Sequence, residues 1–328
     1  MTRSKPPAPQ IVARRVAGLL VERLDLTPPV DVEALLRSRA ELHRVDWPFA
    51  DIDAIMIGLG FRTTPTVYYR ATDNLFRERF TLAHELGHLT LPHLPRENCS
   101  IQSDGEMDLQ RDYTAEDEAD VFASCLLLPD RWLLELVRRH AYDMTQVLRE
   151  LNEAEVTTQA ALRGLRRVLL AGWAFAAYRG TTIISTPGTA VPGLYEADAL
   201  TQLEKHSVAS GSADLNGYTV RWFQLAESSV LAARVEGDQR EVPQILKDAL
   251  AQYAPAHESV RLVQVCNGKV GGALRESAGR PAAETYSSLV YRFEQSEQRQ
   301  LLEVPDFRLW LAEKARDVED GKTKRRRR

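Results

Sequence analysis

His84-Glu85-Leu86-Gly87-His88 is the stretch whose residue types and spacing could do chemistry. Residues four apart on a helix project from one face. Two imidazoles so placed can share one Zn²⁺, with the Glu85 carboxylate beside them as a general base. The chain holds only 7 His, so finding two at this spacing carries weight. Phe80, Leu82, Ala83, Leu86 and Leu89 surround the motif with apolar residues and predict a packed helix rather than surface decoration. Gly87 inside that helix costs about 1 kcal/mol relative to Ala. Such a cost fits a position where another backbone or a metal must come close.

Two histidines do not complete a catalytic zinc site, which usually takes three protein ligands and leaves a fourth position for water. His93 falls one residue short of the third histidine in the longer metzincin motif and has no Gly before it, so it reads as a loop or helix-end residue. The stretch from Glu116 to Leu128 reads as a second helix, with Thr114 as its N-cap, an acidic first turn and Pro129 as its stop. Glu116 and Asp120 lie one turn apart on a common face. Glu116 can supply the third ligand, while Asp120 can hold a ligating imidazole through its other ring nitrogen. Asp117 and Glu118 read as solvated. Tyr113, one turn before Glu116, either reaches the oxyanion that develops during hydrolysis or serves only packing.

The three cysteines differ in kind. Cys125 sits in an apolar run and Cys266 in an expected strand, and both read as inert core residues. Cys99 lies in the polar loop Pro95 to Ser100, between the second histidine and the presumed third ligand. A thiolate about 2.3 Å from zinc would occupy the position of the catalytic water, making Cys99 an inhibitory fourth ligand, a cysteine switch. The alternative is a solvated loop cysteine.

Phe80-Thr81-Leu82-Ala83-His84-Glu85-Leu86-Gly87-His88, followed by Glu116-x-x-Ala119-Asp120-x-Phe122-Ala123 and Leu127-Leu128-Pro129, resembles the ImmA/IrrE family of zinc metallopeptidases. Pro28-Pro29-Val30-Asp31-Val32-Glu33 is similar to that family's opening helix, and the resemblance spans residues 10–170. It implies a small gluzincin-like fold with ligands His84, His88 and Glu116 and with Glu85 as base. Family members usually carry Asn where this chain has Asp120, a departure that touches the support of the ligating imidazole rather than the ligand set. The resemblance also implies a helix-turn-helix repressor as substrate, cleaved in mobile-element control or stress responses. Cys99 points to similarity with the CapP branch, which accompanies a repressor in CBASS anti-phage operons.

At 328 residues the chain is long enough for two or three domains with real cores. Its 44% hydrophobic and 27% charged content is that of a soluble globular protein, and a net charge of −4 gives no global drive toward nucleic acid. No apolar run reaches the length of a membrane span, the N-terminus lacks the apolar segment of a signal peptide, and three irregularly spaced cysteines argue against a disulfide scaffold. A cytoplasmic protein without membrane contact is expected.

The elements that must position the motif follow from local pattern. Residues 9–26 and 30–40 read as helices, and residues 52–57 and 66–70 as strands. The strand 66–70, just before the motif helix, either offers its edge to an extended substrate or lies inside the sheet. Residues 131–170 read as helical, with a helix-turn-helix-like connection through Ala154-Glu155-Val156, Thr157 as a cap and a basic side of Arg163, Arg166 and Arg167. That side could touch DNA phosphates, but the resemblance favours a packed subdomain. Beyond Gly172 the expected strands are 174–178, 181–185, 220–225, 230–235, 261–266 and 287–293, with Asn267-Gly268 as a hairpin and helices at 243–253 and 305–315.

The expected organisation is α+β: a peptidase domain at 1–130, a helical subdomain at 131–171, a GAF-like sensor domain at 172–316 and a basic tail at 317–328. Arg261, Lys269, Arg275, Arg280 and Arg292, with Tyr286 and Tyr291 nearby, would suit a single-stranded DNA effector; a solvated strand face is the alternative. Two functions compete on these residues: a zinc endopeptidase that cleaves a repressor, and a non-catalytic zinc-containing sensor or DNA-binding regulator. Glu85 separates them, because a structural zinc site has no use for a carboxylate there.

Overall fold

The computed structural model describes residues 9–46, 53–58, 64–91, 109–195, 197–253, 258–277 and 279–320. They form a mixed α+β chain of two compact units, one comprising Met1–Val168 with Ala213–Tyr218 and the other Leu169–Ser212 with Thr219–Arg328.

The first unit opens with helix α1 (Pro9–Leu24) and the short α2 (Val32–Arg37). Asp31 caps α2, its side chain accepting from the Ala34 amide at 2.9 Å. Three strands follow, β1 (Glu41–Val45), β2 (Ala54–Ile57) and β3 (Thr66–Arg70). β3 is the middle strand, parallel to β1 and antiparallel to β2. The strand before the motif helix is therefore internal and has no free edge to offer. Val67 and Tyr69 point into the core while their neighbours are half-buried, the period-two alternation of a strand covered on one face. β1 was not expected from the sequence: Leu42 alone among Glu41-Leu42-His43-Arg44-Val45 is buried, so it lacks the alternation that marks a strand.

Helix α3 (Leu75–Thr90) carries the motif, and α4 (Leu109–Leu127) packs against it. α4 begins well before Thr114, so Glu116, Asp117 and Glu118 lie inside the helix rather than in its first turn, and Thr114 is not its cap. Its end just before Pro129 is as expected, because proline cannot continue a helix. α5 (Asp130–Arg139), α6 (Met144–Glu150) and α7 (Thr158–Val168) complete the unit. Thr157 caps α7 by accepting from the Ala160 amide at 3.2 Å. Arg167 is turned inward: it pairs with Asp130, donates to Ser124 Oγ at 3.1 Å and to the Leu128 carbonyl at 2.6 Å. It cannot serve a phosphate-binding face.

The second unit holds β4 (Trp173–Ala177), β5 (Thr182–Ser185), α8 (Ala199–His206), β6 (Ser207–Leu215) and β7 (Tyr218–Leu225), with sheet order β5-β4-β7-β6. Four helices follow: α9 (Val242–Tyr253), α10 (Ser259–Glu276), α11 (Ala282–Glu294) and α12 (Pro305–Glu319). Tyr286, Phe293, Phe307 and Trp310 centre their core.

Several expected strands are corrected here. Residues 261–266 and 287–293 are helical, within α10 and α11. Both segments are rich in β-formers, but their burial follows the helical period. Cys266, Val270 and Ala273 are buried on α10, and Tyr286, Leu289, Val290 and Phe293 on α11. Tertiary packing of an apolar face overrides local propensity. Residues 230–235 form no strand and make only an isolated bridge between Val230 and Thr189.

The hairpin signal belongs to the other Asn-Gly pair. Asn267-Gly268 lies inside α10, whereas Asn216 and Gly217 take φ of 55° and 76° between β6 and β7, the left-handed pair of a tight hairpin turn. The Asn216 amide donates to Asn152 Oδ1 at 2.7 Å, and its side chain donates to the Val156 carbonyl at 2.7 Å, so this tip belongs to the first unit.

Candidate metal centre

α3 starts cleanly because Asn74 caps it, its side chain accepting from the Arg77 amide at 3.1 Å. Arg79 donates to the Val30 carbonyl at 2.8 Å and pairs with Glu155 at 3.2 Å, tying the helix to the turns beside it. Leu82, Ala83 and Leu86 are fully buried, which fixes the helix's rotation and sends His84 and His88 toward α4. α4 is anchored in the same way by Ala119, Phe122, Ala123 and Leu126.

Gly87 sets how close the two helices come. A Cβ built there would stand 3.2 Å from Ala119 Cα and 3.1 Å from Phe122 Cδ1. The backbone approach expected at this glycine is thus the approach of α4, and Ala119 is its small-residue counterpart. Ala119 was quoted in the sequence only as part of a pattern; its smallness between charged neighbours was the signal for a close helix contact.

Across this contact, His84 Nε2 lies 2.9 Å from Glu116 Oε2 and 3.0 Å from His88 Nε2, and His88 Nε2 lies 3.4 Å from Glu116 Oε1. His84 Nδ1 lies 2.8 Å from Asp120 Oδ1. Two imidazole nitrogens and one carboxylate therefore converge, with a second carboxylate fixing the orientation of one ring. Ligand atoms about 2.0–2.1 Å from a tetrahedral zinc stand about 3.3 Å apart, so the donor set and its spacing fit a small divalent ion. Asp120 stands where a ring-orienting carboxylate is needed, although the related family usually places Asn there. Asp120→Ala is expected to weaken metal binding about 10–100-fold with the three ligands intact. Metal competition against a chromophoric chelator measures it, and an unchanged affinity would remove Asp120 from the site.

Without metal these groups hold one another's charge. Burial alone would lower the pKa of His84, but its bonds to Asp120 and Glu116 outweigh that and push it up to about 10. Glu116 is held well below the usual carboxylate range, first by its bond to His84 and then by that to His88. The raised His84 pKa stabilises the metal-free fold fully below its ordinary 6.5, and that contribution is lost as pH rises through about 10. Metal loading at neutral pH must then displace about one proton from His84. Calorimetry in buffers of different ionisation enthalpy should detect that proton, and apparent affinity should rise about tenfold per pH unit across neutrality. Proton-free binding with a flat pH dependence would contradict this coupling.

Glu85 is 8% exposed and lies beside the three donors. Burial raises its pKa, and the two histidines pull it partly back. A carboxylate in that state holds and releases protons more readily near neutrality than a solvated one.

Glu118 departs from expectation: it is 3% exposed and engaged rather than solvated, whereas Asp117 faces solvent. Cys125 and Cys266 are buried free thiols, and burial raises the pKa of each. Cys99, His93 and residues 321–328 of the expected tail lie outside the described residues, as do the side chains of Tyr113 and Thr114, whereas residues 317–319 continue α12. In the second unit Tyr286 is 0% exposed and Arg292 pairs with Glu276, so neither is available to a nucleic acid strand as the sequence suggested. No helix among the described residues is long and apolar enough to cross a membrane.

Residues 49–166 match the family model described as the IrrE N-terminal-like domain of the M78 peptidases. Among curated proteins, none matches this chain. Among solved structures, a Mycobacterium tuberculosis transcriptional regulator is similar at 14% identity and a TM-score of 0.41, over 70% of this chain and 93% of its own. At that distance neither its fold nor its regulatory role transfers to this chain.

Proposed function

We propose, for a chain whose residues 49–166 belong to the ImmA/IrrE family of metallopeptidases, that it is a zinc endopeptidase which cleaves a helix-turn-helix repressor and so derepresses a stress or anti-phage defence operon. The observation that carries this reading is the buried Glu85 carboxylate beside the His84, His88 and Glu116 donors. A structural zinc site needs no such carboxylate, which speaks against the non-catalytic regulator.

Zinc in this site would supply Lewis-acid polarisation of the scissile carbonyl and a water of lowered pKa. His84, His88 and Glu116 would hold the ion, and the bond from Asp120 fixes the orientation of the His84 ring. Glu85 takes the proton of the attacking water and delivers it to the leaving amine, a shuttle suited to a carboxylate whose pKa burial has raised. We assign Tyr113 as the donor to the developing oxyanion and Cys99 as the inhibitory fourth ligand. Both assignments rest on their sequence positions around the ligands. Cys99→Ser is expected to raise basal cleavage, and equal cleavage by the variant and the parent under all conditions would remove the switch.

We read the second unit as a sensor domain of GAF-like type that passes an activating signal to the peptidase. The test is incubation of the full chain with a candidate helix-turn-helix repressor, with and without single-stranded DNA. A repressor fragment that disappears with a chelator and returns with zinc supports the proposal. An intact repressor under every condition contradicts it.

A further inference from the structure

The second unit contains a cavity that the peptidase chemistry does not use. Its volume is about 570 Å³, within the range of small-ligand sites, and it lies between one face of α10 and residues 295–298 after α11. Leu262 and Val265 give it an apolar wall, and Arg261 and Lys269 stand about two turns apart along that wall. Neither cation has an ion-pair partner among the described residues; Lys269 lies only over the Phe293 ring, 5.6 Å from its centroid. Elsewhere in this unit Arg221, Arg234, Arg240, Arg292 and Arg316 each hold a carboxylate.

The cavity also asks for the opposite charge. Glu297 and Glu258 line it, and the side-chain oxygen of Gln298 is buried without a hydrogen-bond partner. A polyanion fits poorly, because the carboxylates oppose it and no aromatic ring lines the cavity for base stacking. The complement is a small zwitterion with an apolar body: an anion for Arg261, in a field that Lys269 makes more positive, and an ammonium for Glu297.

From this juxtaposition we infer that the α10 cavity of the second unit binds a short peptide with free termini. The peptide lies along α10 with its carboxylate against Arg261, its ammonium against Glu297 and its side chains over Leu262 and Val265, while Lys269 adds to the positive field. The site is independent of the metal centre and stands whether or not the chain cleaves a repressor.

The test titrates the full chain with a pool of leucine-containing tripeptides, followed by calorimetry. In parallel it uses the same pool acetylated and amidated at its termini, and a single-stranded oligonucleotide. Saturable binding of the free peptides is expected, weakened at least about tenfold by terminal blocking and by Arg261→Glu, a reversal on an exposed helix face that leaves the fold intact. Lys269→Gln should weaken it in the same direction. Peptides held at the metal centre would be insensitive to both substitutions, so that outcome overturns the assignment. Absence of saturable binding overturns it as well, as does displacement of the peptides by the oligonucleotide.

Discussion

Glu85→Gln is expected to leave metal binding unchanged and to lower peptide cleavage by about 10²–10⁴-fold, the usual contribution of a positioned general base. The glutamine is nearly the same shape, so the buried position beside His84 and His88 stays filled. What is lost is the group that can take a proton from water. The charge change also removes a carboxylate that the two histidines stabilise, so zinc content must be measured together with the rate. Cleavage at the parent's rate with zinc still bound would show that Glu85 has no part in the reaction. Loss of zinc from the variant would instead make Glu85 part of the metal's support.

The second large effect concerns a residue with no functional group. Gly87→Val is expected to lower both fold stability and metal affinity. Its Cβ would stand 3.2 Å from the backbone of Ala119 and 3.1 Å from Phe122, and the two γ-methyls need further room. Overpacking of this kind costs about 1–3 kcal/mol. Relief comes only by moving α4 away from α3, and α4 carries Glu116 and Asp120. Thermal unfolding and zinc competition should therefore change together. Gly87→Ala is the milder member of the pair, since the alanine gains helix propensity of about 1 kcal/mol against its own close contact. A valine variant that binds zinc as the parent does would show that the helix spacing is not what positions Glu116.

The clustering of His84, His88 and Glu116 was legible in the sequence because helical spacing converts directly into geometry. His84 and His88 share a face in any helix, and Glu116 and Asp120 share one in the next. Which acids turn inward was harder to read. Its acidic neighbours make Glu118 look solvated, yet it is buried, since α4 starts earlier than its apparent cap suggests and packs against both α1 and α3. The second unit was read less well. Val263-Gln264-Val265 mimics the alternation of a strand with its two β-branched residues, and only the longer spacing through Cys266, Val270 and Ala273 reveals the helix. β6 escaped notice for the opposite reason: Ser207-Val208-Ala209-Ser210-Gly211-Ser212 has few β-formers, and the strand is held by pairing with β7 across the Asn216-Gly217 turn. Local propensity is a weak guide wherever nonlocal pairing or a helical core face decides the outcome.

The most direct test of the central claim is the zinc content of the purified chain beside that of His88→Ala and Glu116→Ala. The arrangement of His84, His88 and Glu116 predicts about one zinc per parent chain and strong depletion in both variants, because each removes one of three protein ligands. A parent chain without zinc, or variants that retain it in full, would contradict the metal centre and the peptidase built on it.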